Sequence, residues 1–229
     1  RNHGTCDFGG WRATVIDTGG LDPTSDEPLT AQVRKQVLMA MAEADALLFV
    51  VDGREGLTSL DQEVARLLRR VAKPVVVAVN KWDGLDAYTR EQTRLILQRK
   101  LKFLDFAKFH FISARDNIGL EALFRSVDAA YAAAMTKMST RRLARVLIDA
   151  VAKQAPPKHG VFRPKPRYAH QGGSNPPIIV VHGNAVDLIS DSYRRYLEHT
   201  FREAFKLQGT PLRIQFVTSK NPFADKDKK

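Results

Sequence analysis

One segment constrains the fold of this 229-residue chain more than any other. Residues 75–79 form a wholly apolar run, four of them valine, and the run ends directly in the polar Asn80. A strand without polar alternation is buried on both faces, which is typical of a parallel sheet covered by helices on each side. The segment therefore predicts an α/β fold with polar side chains at the carboxyl end of a strand.

The rest of the first half repeats this pattern. Short β-branched runs alternate with amphipathic stretches whose apolar residues recur at helical spacing. Such alternation predicts βαβ units around a parallel sheet. A capping box of Ser59 and Gln62 is expected to open one of the helices. Strands are predicted at residues 12–17, 46–52, 74–80 and 109–113, and helices at about residues 30–44, 60–71, 87–101 and 120–131.

The positive charge is concentrated in the last two-fifths of the chain. Residues 1–138 hold 19 basic and 18 acidic side chains, whereas residues 139–229 hold 17 and 7. From residue 139 the order becomes helix, strand, strand, helix, strand, which predicts a small α+β module with its helices on one face of a three-stranded sheet. Its elements are expected at residues 139–150, 162–170, 178–182, 191–205 and 212–217, before a charged, disordered tail at 224–229.

The composition excludes several classes of protein. A hydrophobic content of 44% is too high for a disordered chain. Cys6 is the only cysteine, so no disulfide forms within the chain and a reducing cytoplasm is expected. The apolar runs are far shorter than the roughly 20 residues that cross a bilayer, which predicts no membrane partner.

A first candidate motif follows the strand predicted at residues 12–17. Asp17, Thr18, Gly19 and Gly20 stand at its carboxyl end. An aspartate there can hold a hydrated Mg²⁺, and Gly20 can offer an uncrowded N–H to a terminal phosphate. In isolation, the same residues are more simply an acidic strand end followed by a glycine turn.

A second and a third motif carry groups that can contact specific atoms of a nucleotide base. The Asp83 carboxylate can accept from two adjacent donors such as guanine N1–H and the 2-amino group, which adenine lacks. Asn80 can brace the loop or contact a ring nitrogen, and the stem of Lys81 can cover one face of the base. A later strand ends in Ser113 and Ala114, whose backbone N–H could contact the guanine oxygen. Three strand-end motifs spaced 63 and 33 residues apart predict a guanine-nucleotide site.

These residues resemble the translation-factor-type GTPases, and longer stretches resemble the Der (EngA) family. The resemblance implies two tandem GTPase domains followed by a KH-like domain, GTP hydrolysis with Mg²⁺ held through water by Asp17, and assembly of the large ribosomal subunit with its rRNA. It covers essentially the whole chain, through residues 80–85 (NKWDGL), 101–107, 110–114, 168–173, 175–177, 191–198 and 209–214.

The chain departs from that family in its phosphate-binding loop. No glycine is followed by lysine, so the loop G-x-x-x-x-G-K-[S/T] that cradles phosphates is absent. Leu21, grouped with the nucleotide-binding residues, stands where many GTPases carry a water-positioning glutamine, so no catalytic residue is assigned. Residues 1–81 resemble the first GTPase domain after its first switch loop, and residues 82–138 the end of the second. An internal junction is therefore expected near residue 81.

Basic side chains of the second half point to a polyanion. Arg163, Lys165 and Arg167 alternate with apolar and aromatic residues, so an extended segment would place the three charges on one face. No G-x-x-G follows residue 138, so contact with the backbone of structured ribosomal RNA is predicted rather than sequence readout. Three more basic residues fall near one stripe of the following predicted helix: Arg195, Arg202 and Lys206.

Together these observations predict an incomplete P-loop GTPase-type parallel α/β sheet with helices on both faces (residues 1–138), a small α+β KH-like domain (139–223) and a tail (224–229). The predicted function is a cytoplasmic, monomeric factor that binds GTP or GDP with Mg²⁺, hydrolyses GTP and acts in large-subunit assembly without contacting DNA. This chain itself is expected to be impaired in nucleotide binding. The alternative is a non-catalytic RNA- or ribosome-binding module with a degenerate GTPase-like scaffold.

Overall fold

The computed structural model describes residues 2–8, 11–17 and 31–218. The chain divides into two compact units. Unit 1 consists of residues 1–133 with the short segment 208–211, and unit 2 of residues 134–207 and 212–229. The tail predicted to be disordered lies outside the described residues.

Unit 1 is built on a parallel sheet of three strands. The central strand β4 (Val75–Asn80) pairs in parallel with β3 (Leu47–Asp52) on one side and with β5 (Lys108–Phe111) on the other. The first five residues of β4 are all buried. The predicted parallel α/β architecture is therefore confirmed.

Different helices cover the two faces of the central strand. The odd-numbered valines of β4 pack with Leu67 and Leu68 of α2 (Ser59–Val71). The even-numbered residues pack with Leu123 of α4 (Leu120–Ala134). Each fully buried valine contributes about 1.5–3 kcal/mol relative to an exposed one, which explains why the run contains no polar residue. The other helices described in unit 1 are α1 (Ala31–Glu43) and α3 (Ala87–Lys100).

Helix α2 begins one residue earlier than predicted. The Thr58 hydroxyl accepts a hydrogen bond from the Asp61 N–H at 3.1 Å, and the Asp61 carboxylate accepts one from the Thr58 N–H at 2.9 Å. The capping box predicted at Ser59 and Gln62 is therefore wrong. Threonine is also a favoured N-cap residue, and the Asp61 carboxylate makes the return bond that Gln62 was expected to make.

The strand that ends in Asp17 does not join the parallel sheet. It forms β2 (Trp11–Asp17), which pairs antiparallel with β1 (Asn2–Phe8) in a separate two-stranded sheet of the described residues. The expectation of a parallel neighbour is wrong here, and β1 was not predicted. Only two residues, both glycine, separate the two strands in the sequence. Such a short connection favours a local hairpin.

A short segment from late in the chain belongs to unit 1. The Gly209 N–H donates to the Phe106 carbonyl at 2.9 Å, and the Gly209 carbonyl accepts from the Val75 N–H at 2.8 Å. Gly209 has φ +73°, and a Cβ there would lie 2.4 Å from the Cβ of Ala130. Only glycine therefore fits at this point, where the segment supplies a hydrogen-bond partner to the amino end of β4.

Unit 2 is a three-stranded sheet with two helices against one face. The central strand β7 (Ile178–Asn184) runs antiparallel to β6 (Lys165–Gly173) and parallel to β8 (Arg213–Thr218). Helices α5 (Thr140–Lys153) and α6 (Asp191–Ala204) share a hydrophobic core with this sheet. The predicted order helix, strand, strand, helix, strand is confirmed.

The core of unit 2 also contains a polar anchor. The buried Tyr193 donates its hydroxyl to the Gln154 carbonyl at 2.6 Å, and burial raises the pKa of Tyr193 to about 12. This bond ties the start of α6 to the end of α5. Neither these helices nor any other within the described ranges is long and apolar enough to cross a membrane.

Candidate functional site

The carboxyl ends of β3, β4 and β5 are joined by backbone hydrogen bonds. The Gly53 N–H donates to the Asn80 carbonyl at 2.8 Å, and the Trp82 N–H donates to the Ile112 carbonyl at 3.0 Å. Because parallel strands all end at the same edge of a sheet, the loops that follow them meet there. Ligands of open α/β sheets bind at this edge.

The Asn80 side chain connects two of these loops. Its Oδ1 accepts a hydrogen bond from the Ala114 N–H at 2.9 Å. The sequence left open whether Asn80 braces the loop or contacts a ring nitrogen, and in this structure it braces the loop. The Ala114 N–H, which the sequence offers to a guanine oxygen, is engaged by Asn80.

Lys81 pairs with a carboxylate that the site prediction did not include. Its backbone lies in the left-handed region at φ 59°, which is uncommon for a residue other than glycine. Its Nζ lies 2.5 Å from Asp52 Oδ2, and Asp52 also accepts from the Arg54 N–H at 2.8 Å. Partial burial acts to raise the pKa of Asp52, but the hydrogen bonds from Lys81 and from the backbone outweigh this effect, so the pKa is lowered overall. The same pairing raises the pKa of Lys81. The position of Asp52 at the end of a predicted strand was the available signal.

Asp83 is held by two arginines. Its Oδ2 lies 3.1 Å from Arg115 Nη2 and 3.5 Å from Arg54 Nη2, and its side chain is 16% exposed. The pKa of Asp83 is lowered, first by the nearby Ser113 side chain and also by the charge of Arg115. Asp83 is therefore an ionised acceptor at neutral pH. Sequence reasoning did not predict the two arginines, although both follow predicted strand ends.

The third strand-end loop is closed on itself. The buried Ser113 exchanges two backbone hydrogen bonds with Ile118, at 3.0 and 3.1 Å, and its hydroxyl donates to Asp116 Oδ2 at 3.0 Å. The pKa of Asp116 is lowered by its hydrogen bonds with Arg115 and Ser113. The structure thus brings Asn80, Lys81, Asp83, Ser113 and Ala114 to one edge of the sheet.

The first predicted motif is described only in part. Asp17 ends β2 and is exposed, while residues 18–21, which carry Thr18, Gly19, Gly20 and Leu21, lie outside the described residues. Within the described ranges, no group of three or more His, Cys, Asp or Glu side chains could hold a metal ion. Asp17 offers a single carboxylate, which suits Mg²⁺ because that ion keeps several of its waters. The contact of Asp17 with hydrated Mg²⁺ and that of the Gly20 N–H with a terminal phosphate stay predictions.

The predicted basic residues of unit 2 lie largely at its surface. Five of them are exposed and Arg202 is half-buried. The register of β6 shifts between Pro166 and Tyr168, so strict alternation is interrupted at Arg167. The exposed residues are Arg163, Lys165, Arg167, Arg195 and Lys206.

Lys206 does not share a helical stripe with the other basic residues of α6. The helix ends at Ala204, and Lys206 has φ 55°. The prediction of a stripe extending to Lys206 is therefore wrong. The chain leaves the helix through a left-handed residue, a common way for helices to end.

Three further arginines line a cleft at the start of α5. The cleft has a volume of about 290 Å³ and is bounded by Ser139, Arg141, Arg142 and Arg145. The Arg142 guanidinium donates to the Ala204 carbonyl at 2.5 Å and lies 4.7 Å from the centre of the Phe205 ring. A cleft lined mainly by arginine has the charge that attracts phosphate groups.

The parallel sheet and the polar loops at its carboxyl edge define the class as an α/β nucleotide-binding domain. Residues 26–153, more than half of the chain, match the family model of the Elongation factor Tu GTP binding domain. The chain belongs to this GTP-binding domain family. Residues 137–216 match the KH-domain-like, C-terminal region of EngA bacterial GTPase enzymes.

Curated relatives match almost the whole chain. GTPase Der of Dechloromonas aromatica (strain RCB) is 68% identical over 223 residues, which are 96% of this chain and 50% of the relative. GTPase Der of Paraburkholderia phytofirmans (strain DSM 17436 / LMG 22146 / PsJN) is 52% identical over 220 residues, 95% of this chain and 49% of the relative. The predicted resemblance to the Der (EngA) family is confirmed, and the chain spans about half the length of these relatives.

One similar solved structure is that of Era in complex with MgGDPNP and nucleotides 1506–1542 of 16S ribosomal RNA. It is 17% identical, the match covers 94% of this chain and 79% of that one, and the TM-score is 0.46.

Proposed function

We propose that this protein, in the full length of its relatives, binds and hydrolyses GTP and acts in assembly of the large ribosomal subunit as a cytoplasmic monomer. Membership of a GTP-binding domain family and 68% identity to a GTPase Der support this proposal. The carrying observation is the ionised Asp83 carboxylate at the sheet edge, next to the loops that Asn80 and Ala114 join.

In this proposal, Asp83 selects guanine. Its carboxylate accepts from the guanine N1–H and 2-amino groups, a donor pair that adenine does not present. Arg54 and Arg115 occupy that carboxylate in the structure. Guanine must therefore displace two charged donors, a small cost because both arginine side chains are largely exposed to solvent. This sequence contains no phosphate-cradling loop. We therefore expect its dissociation constant for GTP to lie above the micromolar range.

The phosphate side of the site is assigned to residues 17–21. Asp17 would hold Mg²⁺ through water, and Gly20 would donate its backbone N–H to the γ-phosphate. When bound, Mg²⁺ supplies positive charge that neutralises the phosphates of the nucleotide. Leu21 has no group that can orient water, so the water-activating residue is left unassigned.

An exchange of base specificity tests the nucleotide assignment. Asp83→Asn replaces one acceptor oxygen with an amide donor, which fits the 2-carbonyl of xanthine instead of the 2-amino group of guanine. We expect this chain to prefer GDP over ADP in NMR titrations at millimolar nucleotide, and the variant to prefer XDP. Asp128→Asn, an exposed aspartate in the second half of α4, is the matched control. Equal binding of GDP and ADP would contradict the assignment, and micromolar GTP affinity would contradict its predicted weakness.

We also propose that unit 2 binds ribosomal RNA by contacting the sugar-phosphate backbone of the RNA. Residues 139–218 carry 13 basic and 5 acidic side chains. Reversing Arg163, Lys165 and Arg167 to Glu should weaken binding of the full-length protein to large ribosomal particles and flatten its dependence on salt. The matched control reverses three exposed basic residues of unit 1: Arg99, Lys100 and Lys102. Unchanged binding at several salt concentrations would refute the assignment.

The alternative is a non-catalytic RNA-binding module with a degenerate GTPase scaffold. The arginines that occupy Asp83 and the missing phosphate loop favour it for this chain. The two proposals differ in one measurement. GTP hydrolysis by the full-length protein that falls when Asp83 is changed supports the GTPase, whereas RNA binding with no hydrolysis supports the scaffold.

A further inference from the structure

The sheet of unit 2 carries three stacked rings on strands β6 and β7. The His170 and His182 rings are 5.1 Å apart with an interplanar angle of 19°. The Tyr168 ring lies 5.9 Å from each of them. Aromatic and imidazole rings at these separations are in offset or tilted stacking contact.

These rings lie on the sheet face opposite the helices. Tyr168 pairs with His182 across the two strands, and the alternate residues Ala169 and Val181 pair with each other and are buried in the core under α5 and α6. Successive side chains of a strand point to opposite faces. The three rings therefore contribute nothing to the core between sheet and helices.

The edge strands of this face are accessible in the structure, whereas Val180 on the central strand is buried. Tyr168 is 45% exposed, and Val217, which pairs with His182 on the other side, is 43% exposed. The His170 Nδ1 is buried and has no hydrogen-bond partner in the described part of the chain, and its ring stacks on that of His182. Tyr168 is thus an exposed ring on a face that serves no core, and the rings of His170 and His182 beside it are half-buried.

Two exposed arginines belong to the strands that carry or flank the rings. Arg167, directly before Tyr168, is exposed at the register shift of β6, and Arg213 is exposed on β8 opposite Ile178, whose side chain shares the face of the rings. Rings that expose a π-face, with arginines alongside, have the composition of surfaces that bind single-stranded nucleic acid. An acidic protein segment could pair with the arginines, but unlike RNA it has no bases to stack on the rings.

We propose that this face binds unpaired RNA bases, which stack on Tyr168 and on the His170–His182 pair while Arg167 and Arg213 contact the adjacent phosphates. The inference rests on the proposed RNA binding of unit 2. The basic side chains of unit 2 are proposed to contact the RNA backbone, and the rings on the sheet would in addition stack on bases. Such stacking requires single-stranded RNA, because the bases of a helix are already stacked on one another.

Fluorescence anisotropy on the whole chain tests the proposal with three probes: a 12-nucleotide single-stranded RNA, a 12-base-pair RNA duplex, and an abasic strand of the same length. Tyr168→Ala should lower affinity for the single strand roughly 5- to 100-fold. Tyr168→Phe should retain the affinity, because the ring remains. Tyr168→Leu should lose it, because leucine keeps apolar area but has no π-face. Tyr88→Ala, 75% exposed in unit 1, is the control.

The probes separate failure of this inference from failure of the proposed function. Duplex binding that is insensitive to Tyr168→Ala, together with single-strand binding that falls, supports stacking. If the single strand binds equally to wild type, Tyr168→Ala and Tyr168→Leu, or the abasic strand binds as tightly as the normal one, stacking is overturned while backbone binding stands. If neither RNA binds the wild-type chain, both fail. Melting temperatures of the variants identify any loss of folding.

Discussion

The Asn80 side-chain oxygen accepts a hydrogen bond from the Ala114 backbone N–H at 2.9 Å, between residues 34 positions apart in the chain. The bond spans the ends of two neighbouring parallel strands. It forms because the Ile112 N–H also donates to the Val79 carbonyl at 2.9 Å, which aligns the two strand ends. One polar side chain therefore sets the spacing of two loops that the proposed guanine base must contact.

Removing this bond should loosen the site. Asn80→Ala leaves the Ala114 N–H without its partner, and a hydrogen bond of this kind contributes about 0.5–1.5 kcal/mol. We expect the free energy of unfolding in urea, followed by fluorescence of the buried Trp82, to fall by that amount. Asn80→Asp keeps the acceptor oxygen and should lose less. Equal loss in both variants would show that the acceptor is not responsible.

Freeing Asp83 should strengthen guanine binding. Arg115 competes for the carboxylate that the base must reach, and the Arg115 side chain is 76% exposed, so the contact is weak. Arg115→Ala is expected to raise affinity for GDP by up to about fivefold in NMR titrations. Arg125→Ala, which removes an exposed arginine on α4, serves as the control. A fall in affinity would mean that Arg115 helps to hold the base.

Acid should destabilise unit 1 through His110. The His110 ring lies 2.8 Å from the Ser126 hydroxyl, and burial, with a smaller contribution from Lys108, lowers its pKa. The unfolded chain, with a pKa of about 6.5, then takes up protons before the folded chain does. The free energy of unfolding should be level above about pH 7 and fall as the pH drops below about 6.5.

His110→Gln should remove this acid-dependent loss, and the exposed His199→Gln should not. Unfolding in urea between pH 7.5 and 5 measures the difference. The carboxylates with lowered pKa, such as Asp52 and Asp83, add stability that is lost only below about pH 4. The two effects therefore occupy separate ranges of pH. Parallel pH profiles for wild type and His110→Gln would disprove the role of His110.

Gly53 leaves no room for a side chain. A Cβ there would lie 2.8 Å from the Asn80 carbonyl oxygen and 3.2 Å from the Trp82 ring. Gly53→Ala must push apart two strand-end loops and should cost about 1–3 kcal/mol of unfolding free energy. Gly4→Ala is the control, since no atom lies within 4 Å of a Cβ built there. Equal melting temperatures for Gly53→Ala and wild type would rule out this crowding.

The predictions based on hydrophobic patterning are confirmed where the pattern extends over a whole strand or several elements. Burial of β4 on both faces requires an uninterrupted apolar run, so the run of valines was enough to identify a central parallel strand. The order of elements in unit 2 was likewise predicted from periodicity. The errors concern helix ends and strand pairing: Thr58 instead of Ser59 caps α2, Lys206 lies beyond α6, and β2 pairs with β1. Neighbouring residues with similar capping ability give the sequence no basis for choosing between them.

The sequence by itself determined the α/β class, the strand-end positions of Asn80, Asp83 and Ser113, and the concentration of charge after residue 138, because these depend on residue order alone. Only the tertiary structure decided that Lys81 pairs with Asp52, and that Arg54 and Arg115 occupy Asp83. These pairs join residues about 30 positions apart. Their contacts depend on strand register and side-chain direction, which hydrogen bonds between strands set and spacing along the chain does not.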